Sequence, residues 1–286
     1  MRKRRVAILL AAAGFLAGFA FLFYVGQALA APLRVTVGAP PPDFPAEPVE
    51  FQSASGSLLR GWLLPARPSR GVVILMHGVR ANRLSMVDRA RFLAAAGYSV
   101  LLFDFQAHGE SPGDNITFGH LESRDARAAV DLVRRRFPDQ RVMAIGSSLG
   151  GAAAILADPP LPLDGLVLES VYTTMEEATE NRLRIRFGPL GPPLEPLLTL
   201  QLRPRLGIPV SALSPVDQIG RLRCPVLILS GSEDRHTTAE QTRRLFARAP
   251  EPKELWLVPG AAHVDLHGFA GEEYRRRILK FLEDRS

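Results

Sequence analysis

The chain has 286 residues, 47% hydrophobic and 22% charged, an ordinary globular balance with length for one large core plus an appendage. The formal net charge is +6, but Arg2, Lys3, Arg4 and Arg5 supply four of those charges. The nearly neutral remainder excludes the broad basic surface of a nucleic-acid-binding protein.

After the basic cluster no charge occurs from Val6 to Leu33, and about 20 apolar helical residues suffice to cross a bilayer. Residues 1–33 therefore read either as an uncleaved membrane anchor or as a signal peptide with Ala28-Leu29-Ala30 at its cleavage site. The apolar stretch exceeds the ~7–15 residues usual for a signal, which favours the anchor. In both cases the positive-inside bias leaves the N-terminus in the cytoplasm and the body across the inner or plasma membrane, tethered there or secreted after cleavage near Ala30. The membrane is thus an expected partner. Residues 34–48, with "VGAPPPDFPAEP", read as a proline-rich extended linker. The single cysteine, Cys224, allows no internal disulfide.

The body, 49–286, opens on "VEFQSASGSLLRGWLLP", a predicted hairpin turning near Ser55-Gly56. Short apolar runs then recur at 71–78, 98–105, 140–148, 164–171, 224–231 and 253–260. Runs apolar on both alternating sets suit strands buried on both faces of a parallel sheet. Helical patterns lie between them at 84–96, 121–137, 149–157, 237–248 and 269–283. In 121–137, Ala126, Ala129, Val130, Val133 and Phe137 share one stripe. The alternation predicts a doubly wound α/β sheet. Residues 172–220, dense in proline, glycine and leucine, interrupt the rhythm and read as a small lid insertion.

In "AIGSSLGG", only Gly146-Ser147-Ser148-Leu149-Gly150 fits G-x-S-x-G, with Ser148 at its centre. It follows a predicted strand and precedes a small-residue helix, the context of a nucleophile elbow. A serine hydroxyl needs a base, and the base needs an orienting acid. Asp234 ends the strand in "LILSGSED", and His263 lies in "VPGAAHVD" beyond the last strand. All three sit at the carboxyl edge of the sheet, where open α/β sheets bind ligands.

With "MHGVRANR", "GYSVLLFDFQAHGES", "GSSLGG", "PVLILSGSED" and "GAAHVD" in that order, residues 49–284 resemble the α/β-hydrolase superfamily. They are most similar to short-lidded serine hydrolases of the esterase, monoacylglycerol-lipase-like and serine-aminopeptidase kinds. The resemblance implies the α/β-hydrolase fold: a mostly parallel sheet with an N-terminal antiparallel hairpin, helices on both faces and a small lid. It implies a Ser148–Asp234–His263 triad and an oxyanion hole from the backbone N–H groups of Leu149 and Val79, supported by His77 and Gly78. The expected activity is hydrolysis of a carboxylic ester or related acyl bond in a small molecule, through an acyl-enzyme, with no cofactor and no metal. Two alternatives stay open: a serine aminopeptidase acting on small peptides, and a catalytically silent protein that uses the fold for binding.

Other polar residues have plainer readings. Glu233 reads as a solvated loop charge beside Asp234, and Asp265 follows His263 too closely to face its ring. Asp104 and His108 read as ties between neighbouring loops. Arg80, Asn82 and Arg83 border the expected pocket as surface groups or as binders of a substrate carboxylate. Glu176, Glu177 and Glu180 are helix-surface charges or, for a peptidase, receptors for an amino terminus. "HVDLH" has two histidines four apart, too few for a metal site.

Overall fold

The computed structural model describes residues 2–284; Met1, Arg285 and Ser286, which end the expected anchor and body, lie outside the described residues. The strands are β1 (Leu33–Arg34), β2 (Glu47–Gln52), β3 (Leu58–Leu64), β4 (Val72–Met76) and β5 (Ser99–Phe103). They continue with β6 (His108–Gly109), β7 (Val142–Ser147), β8 (Gly165–Glu169), β9 (Val226–Gly231) and β10 (Lys253–Val258). Eight of them form one sheet in the order β10-β9-β8-β7-β4-β5-β3-β2. The β2–β3 hairpin and the β3–β5 pair are antiparallel, and every other pairing in this sheet is parallel. This is the α/β-hydrolase architecture expected from the sequence.

The helices are α1 (Arg2–Ala30), α2 (Val87–Ala95), α3 (Glu122–Arg136), α4 (Leu149–Leu156) and α5 (Met175–Phe187). The remainder are α6 (Glu195–Thr199), α7 (Leu202–Leu206), α8 (Pro215–Gln218), α9 (Ala239–Arg248) and α10 (Leu266–Glu283). Strands β4, β5, β8 and β9 are buried along their whole length, which explains their unbroken apolar runs. Successive side chains point to opposite faces of the sheet. Val72, Ile74 and Met76 join a core with Ala126 of α3, Ala153 of α4 and Leu245 of α9. Val73 and Leu75 join a second core with Leu93 of α2 and Ile278 and Phe281 of α10. Between β8 and β9 the chain leaves the sheet and builds the small helical insertion α5–α8.

The N-terminal segment corrects one expectation. Among the described residues no helix is long and apolar enough to cross a membrane. The anchor or signal, the membrane partner and the membrane-tethered location expected for the chain are therefore overturned. The apolar run forms α1, and its last turns are built into the body. Gln201 Nε2 donates to the Leu22 carbonyl at 3.3 Å, Arg205 donates to the Phe23 carbonyl at 2.5 Å and to Gln27, and the Arg205 guanidinium lies over the Phe23 ring. Gly26 permits this approach, because a Cβ there would meet Gln201 Oε1 at 2.5 Å. Beyond the helix, Ala30 is buried and accepts a hydrogen bond from Ile116 N–H at 2.8 Å, while β1 pairs in parallel with β6. Glu110 then binds the amides of Val37 and Gly38.

Candidate active site

Strand β7 runs straight into α4, and Ser148 is the hinge, with φ 48° and ψ −106°. Positive φ strains a residue that carries a side chain and marks a backbone held by its surroundings. The surroundings are glycines: a Cβ on Gly146 would stand 2.5 Å from Gly151 N, one on Gly150 would strike the Met76 carbonyl, and one on Gly151 would strike Val171. The tight turn lifts Ser148 to the wall of a cavity, beside Val79, Leu149 and Tyr172. Its N–H donates to the Glu169 carbonyl at 2.7 Å. Leu149 opens α4, so its N–H is among the four that a helix start leaves without an internal partner.

The loop after β4 passes close by, since a Cβ on Gly78 would lie 3.7 Å from Ser148 Cβ. His77 fixes that loop. Its Nε2 accepts from Phe105 N–H at 3.1 Å, so Nδ1 carries the proton and donates to the Gly78 carbonyl at 2.8 Å. Burial, with the neighbouring His108 and Arg83 adding to it, pulls the His77 pKa down to about 3, so the ring is neutral.

Asp234 and His263 meet beyond the carboxyl ends of β9 and β10. His263 Nδ1 lies 2.7 Å from Asp234 Oδ2, and Asp234 Oδ1 accepts from the amides of His236 and Thr237 at 2.7 and 2.8 Å. Burial pushes the Asp234 pKa up, but the His263 contact and those two amides outweigh it and hold the carboxyl below its ordinary value. An ionised Asp234 can only accept, which puts the His263 proton on Nδ1 and leaves Nε2 as the available base. Among the described residues, His263 makes no hydrogen bond to Ser148.

The neighbouring polar groups are engaged elsewhere. Glu233 is exposed. Asp265 caps α10 through Gly268 N–H and pairs with Arg89. Arg83 is 2% exposed, lies over the Trp62 ring, and pairs with Asp104 and Glu110. Asp104 also takes the amides of Arg83 and Glu110, and His108 Nε2 accepts from Arg80 N–H. Asn82 caps the turn that begins at Arg83. Glu177 is bound by Arg244 and Thr173, and Glu180 by Arg184. His267 stacks on Phe92 and accepts from Arg275, apart from His263. Buried Cys224 has its thiol pushed up to about 12 by burial, so it is inert.

Two neighbours were not legible in the sequence. The His236 ring stands 5.0 Å from the His263 ring with a buried, unpartnered Nδ1. Its pKa is lowered by burial and then by the charges of His263 and Arg182. The larger omission is the cavity itself, about 510 Å³, roofed by α5–α7 and walled on one side by Leu22, Val25 and Leu29 of α1.

The chain is similar to several known proteins. A family model described as serine aminopeptidase, S33, matches residues 67–202. Rv2307c, an uncharacterised Mycobacterium tuberculosis protein, is 30% identical over 240 residues, covering 82% of this chain and 79% of its own. The uncharacterised Bacillus subtilis protein YqkD is 25% identical over 236 residues, 81% of this chain and 77% of its own. The Pyrococcus furiosus esterase Pf2001 superposes with a TM-score of 0.73 at 25% identity, covering 90% of this chain and 98% of that one. The chain belongs to the α/β-hydrolase superfamily and carries a serine-hydrolase active site.

Proposed function

We propose that the protein hydrolyses carboxylic esters through an acyl-enzyme on Ser148. The observation that carries this reading is a serine held at positive φ on the wall of an apolar cavity, with an ionised Asp234 fixing the His263 tautomer. In the first half-reaction His263 Nε2 takes the Ser148 hydroxyl proton as Oγ attacks the acyl carbonyl. The N–H groups of Leu149 and Val79 receive the developing oxyanion, a contribution worth ~2.7–4 kcal/mol per donor. His263 then hands its proton to the departing alcohol. Water, activated by the same imidazole, displaces the acid from Ser148. The Ser148–His263 hydrogen bond closes in the substrate complex, as catalytic contacts loose in a free enzyme commonly do.

Esters are favoured over peptides with a free amino terminus by the composition of the cavity. Its lining contains no aspartate or glutamate to hold an ammonium group, and Glu177 and Glu180 are committed to Arg244 and Arg184. Pf2001 is described as an esterase, which agrees with this choice. The test is labelling by a fluorophosphonate probe together with turnover of p-nitrophenyl butyrate. Both should vanish in Ser148→Ala with the circular dichroism spectrum unchanged. Persistent labelling would move the nucleophile elsewhere, and a folded wild type that neither labels nor turns over would point to the silent binding protein.

A further inference from the structure

The ionised groups lining the cavity are all of one sign: Arg80, Arg182, Arg186 and Arg205, with no carboxylate among them. Two of these cations are tied to α1. Arg205 holds the end of α1 through Phe23 and Gln27, and Arg80 Nη1 donates to the Ala28 carbonyl at 3.3 Å. The other two stand one turn apart on α5, a spacing that places both on one helix face. Arg182 donates to the Ala178 carbonyl of its own helix at 2.8 Å, and among the described residues neither Arg182 nor Arg186 pairs with an acid. Arg182 also lies close enough to the catalytic pair to feel the Asp234 carboxylate, while its burial lowers its pKa. A half-buried guanidinium facing apolar surface without an anion is unfavourable unless something supplies one. Its planar fork fits the paired oxygens of a carboxylate or phosphate.

Granting ester hydrolysis at Ser148, we propose that the substrate is a single-chain acyl ester bearing one carboxylate or phosphate group. The chain lies against Leu22, Val25 and Leu29 of α1 and Leu183, Leu198 and Leu202 of the lid. The anionic group is held by Arg182 and Arg186. The neutral ester, lacking that group, leaves both guanidinium groups without an anion and binds less well.

The experiment compares kcat/KM for monodecanoylglycerol, for its glycerol-phosphate counterpart, and for the decanoyl ester of hydroxypropanoate. The full chain and the variants Arg182→Gln, Arg182→Lys and Arg186→Gln are assayed. In the wild type at least one anionic ester should be preferred over the neutral one by about tenfold or more, the usual worth of a charged hydrogen bond. Which of the two leads identifies phosphate or carboxylate as the recognised group. The anionic-to-neutral ratio should collapse in Arg182→Gln, fall less in Arg186→Gln, and return in part in Arg182→Lys.

A wild type that prefers the neutral ester overturns the proposal. So does a ratio that Arg182→Gln and Arg186→Gln both leave unmoved while all rates fall together, because a purely structural arginine would act that way. The exposed Arg186 keeps the test open if Arg182→Gln misfolds. Fluorophosphonate labelling of the wild type, run in parallel, separates this failure from loss of the esterase reading: a labelled enzyme with the wrong preference sinks only the anion site.

Discussion

The buried, neutral His77 ties the fold to the site and gives a measurable cost in acid. Its pKa stands near 3 in the folded protein against 6.5 for a free imidazole. The unfolded chain therefore takes up a proton that the folded chain refuses, and stability falls as pH drops from about 6.5 toward 3. At pH 5 the gap is 1.5 units below the free value, and at 1.36 kcal/mol per unit this amounts to about 2 kcal/mol. Asp125 works in the opposite sense, because burial lifts its carboxyl to about 7 and the folded form gains relative stability as pH falls through that window. The comparison must therefore be a double difference. Urea unfolding of wild type and His77→Gln at pH 7 and pH 5 should show the wild type losing about 2 kcal/mol more than the variant on acidification. Equal losses in the two proteins would mean that the ring is protonated in the fold and that the tautomer assigned to the Gly78 loop is wrong.

Two further outcomes are expected. Gly150→Ala drives a methyl into the Met76 carbonyl; overpacking of this kind costs about 1–3 kcal/mol and should lower Tm by roughly 2–12 °C along with fluorophosphonate labelling, whereas an unchanged Tm would show that the elbow has slack. Val25→Trp fills the α1 side of the cavity and should shift the preference among p-nitrophenyl acetate, butyrate, octanoate and decanoate toward the short end. Each methylene denied burial costs ~0.8 kcal/mol, about fourfold in kcat/KM, and a chain-length profile parallel to that of wild type would place the chain elsewhere.

The sheet was readable in the sequence because a strand buried on both faces has no polar alternation to confuse it, as in β4, β5, β8 and β9. The serine turn was readable because few sequences tolerate the crowding around Gly146, Gly150 and Gly151. The role of residues 21–30 was not. An apolar run has the same composition whether it faces lipid or the wall of a cavity, and Gly26 becomes informative only when Gln201 is seen against it. Arg83 shows the same limit from the polar side. It reads as a surface charge near the pocket, yet it is buried because Asp104, Glu110 and Trp62 surround it. On α5 the acids fill the first half and the arginines the second, so no stripe reveals that Glu177 and Glu180 turn to Arg244 and Arg184 while Arg182 faces the cavity. His236 gave no signal either, since its nearness to His263 depends on the return of β10 beside β9.

The bonds that seat the first helix on the lid join groups 179 and 182 positions apart. Pairings that distant require a large loop to close before they repay anything, so they form late in folding. A newly made molecule is therefore expected to pass through a stage in which the sheet and its carboxyl edge are already formed, yet the α1 side of the cavity is still open to water. Competence toward the shortest esters should come first during refolding, and grip on a long tail should follow only when the earliest-synthesised stretch of the polypeptide settles into place.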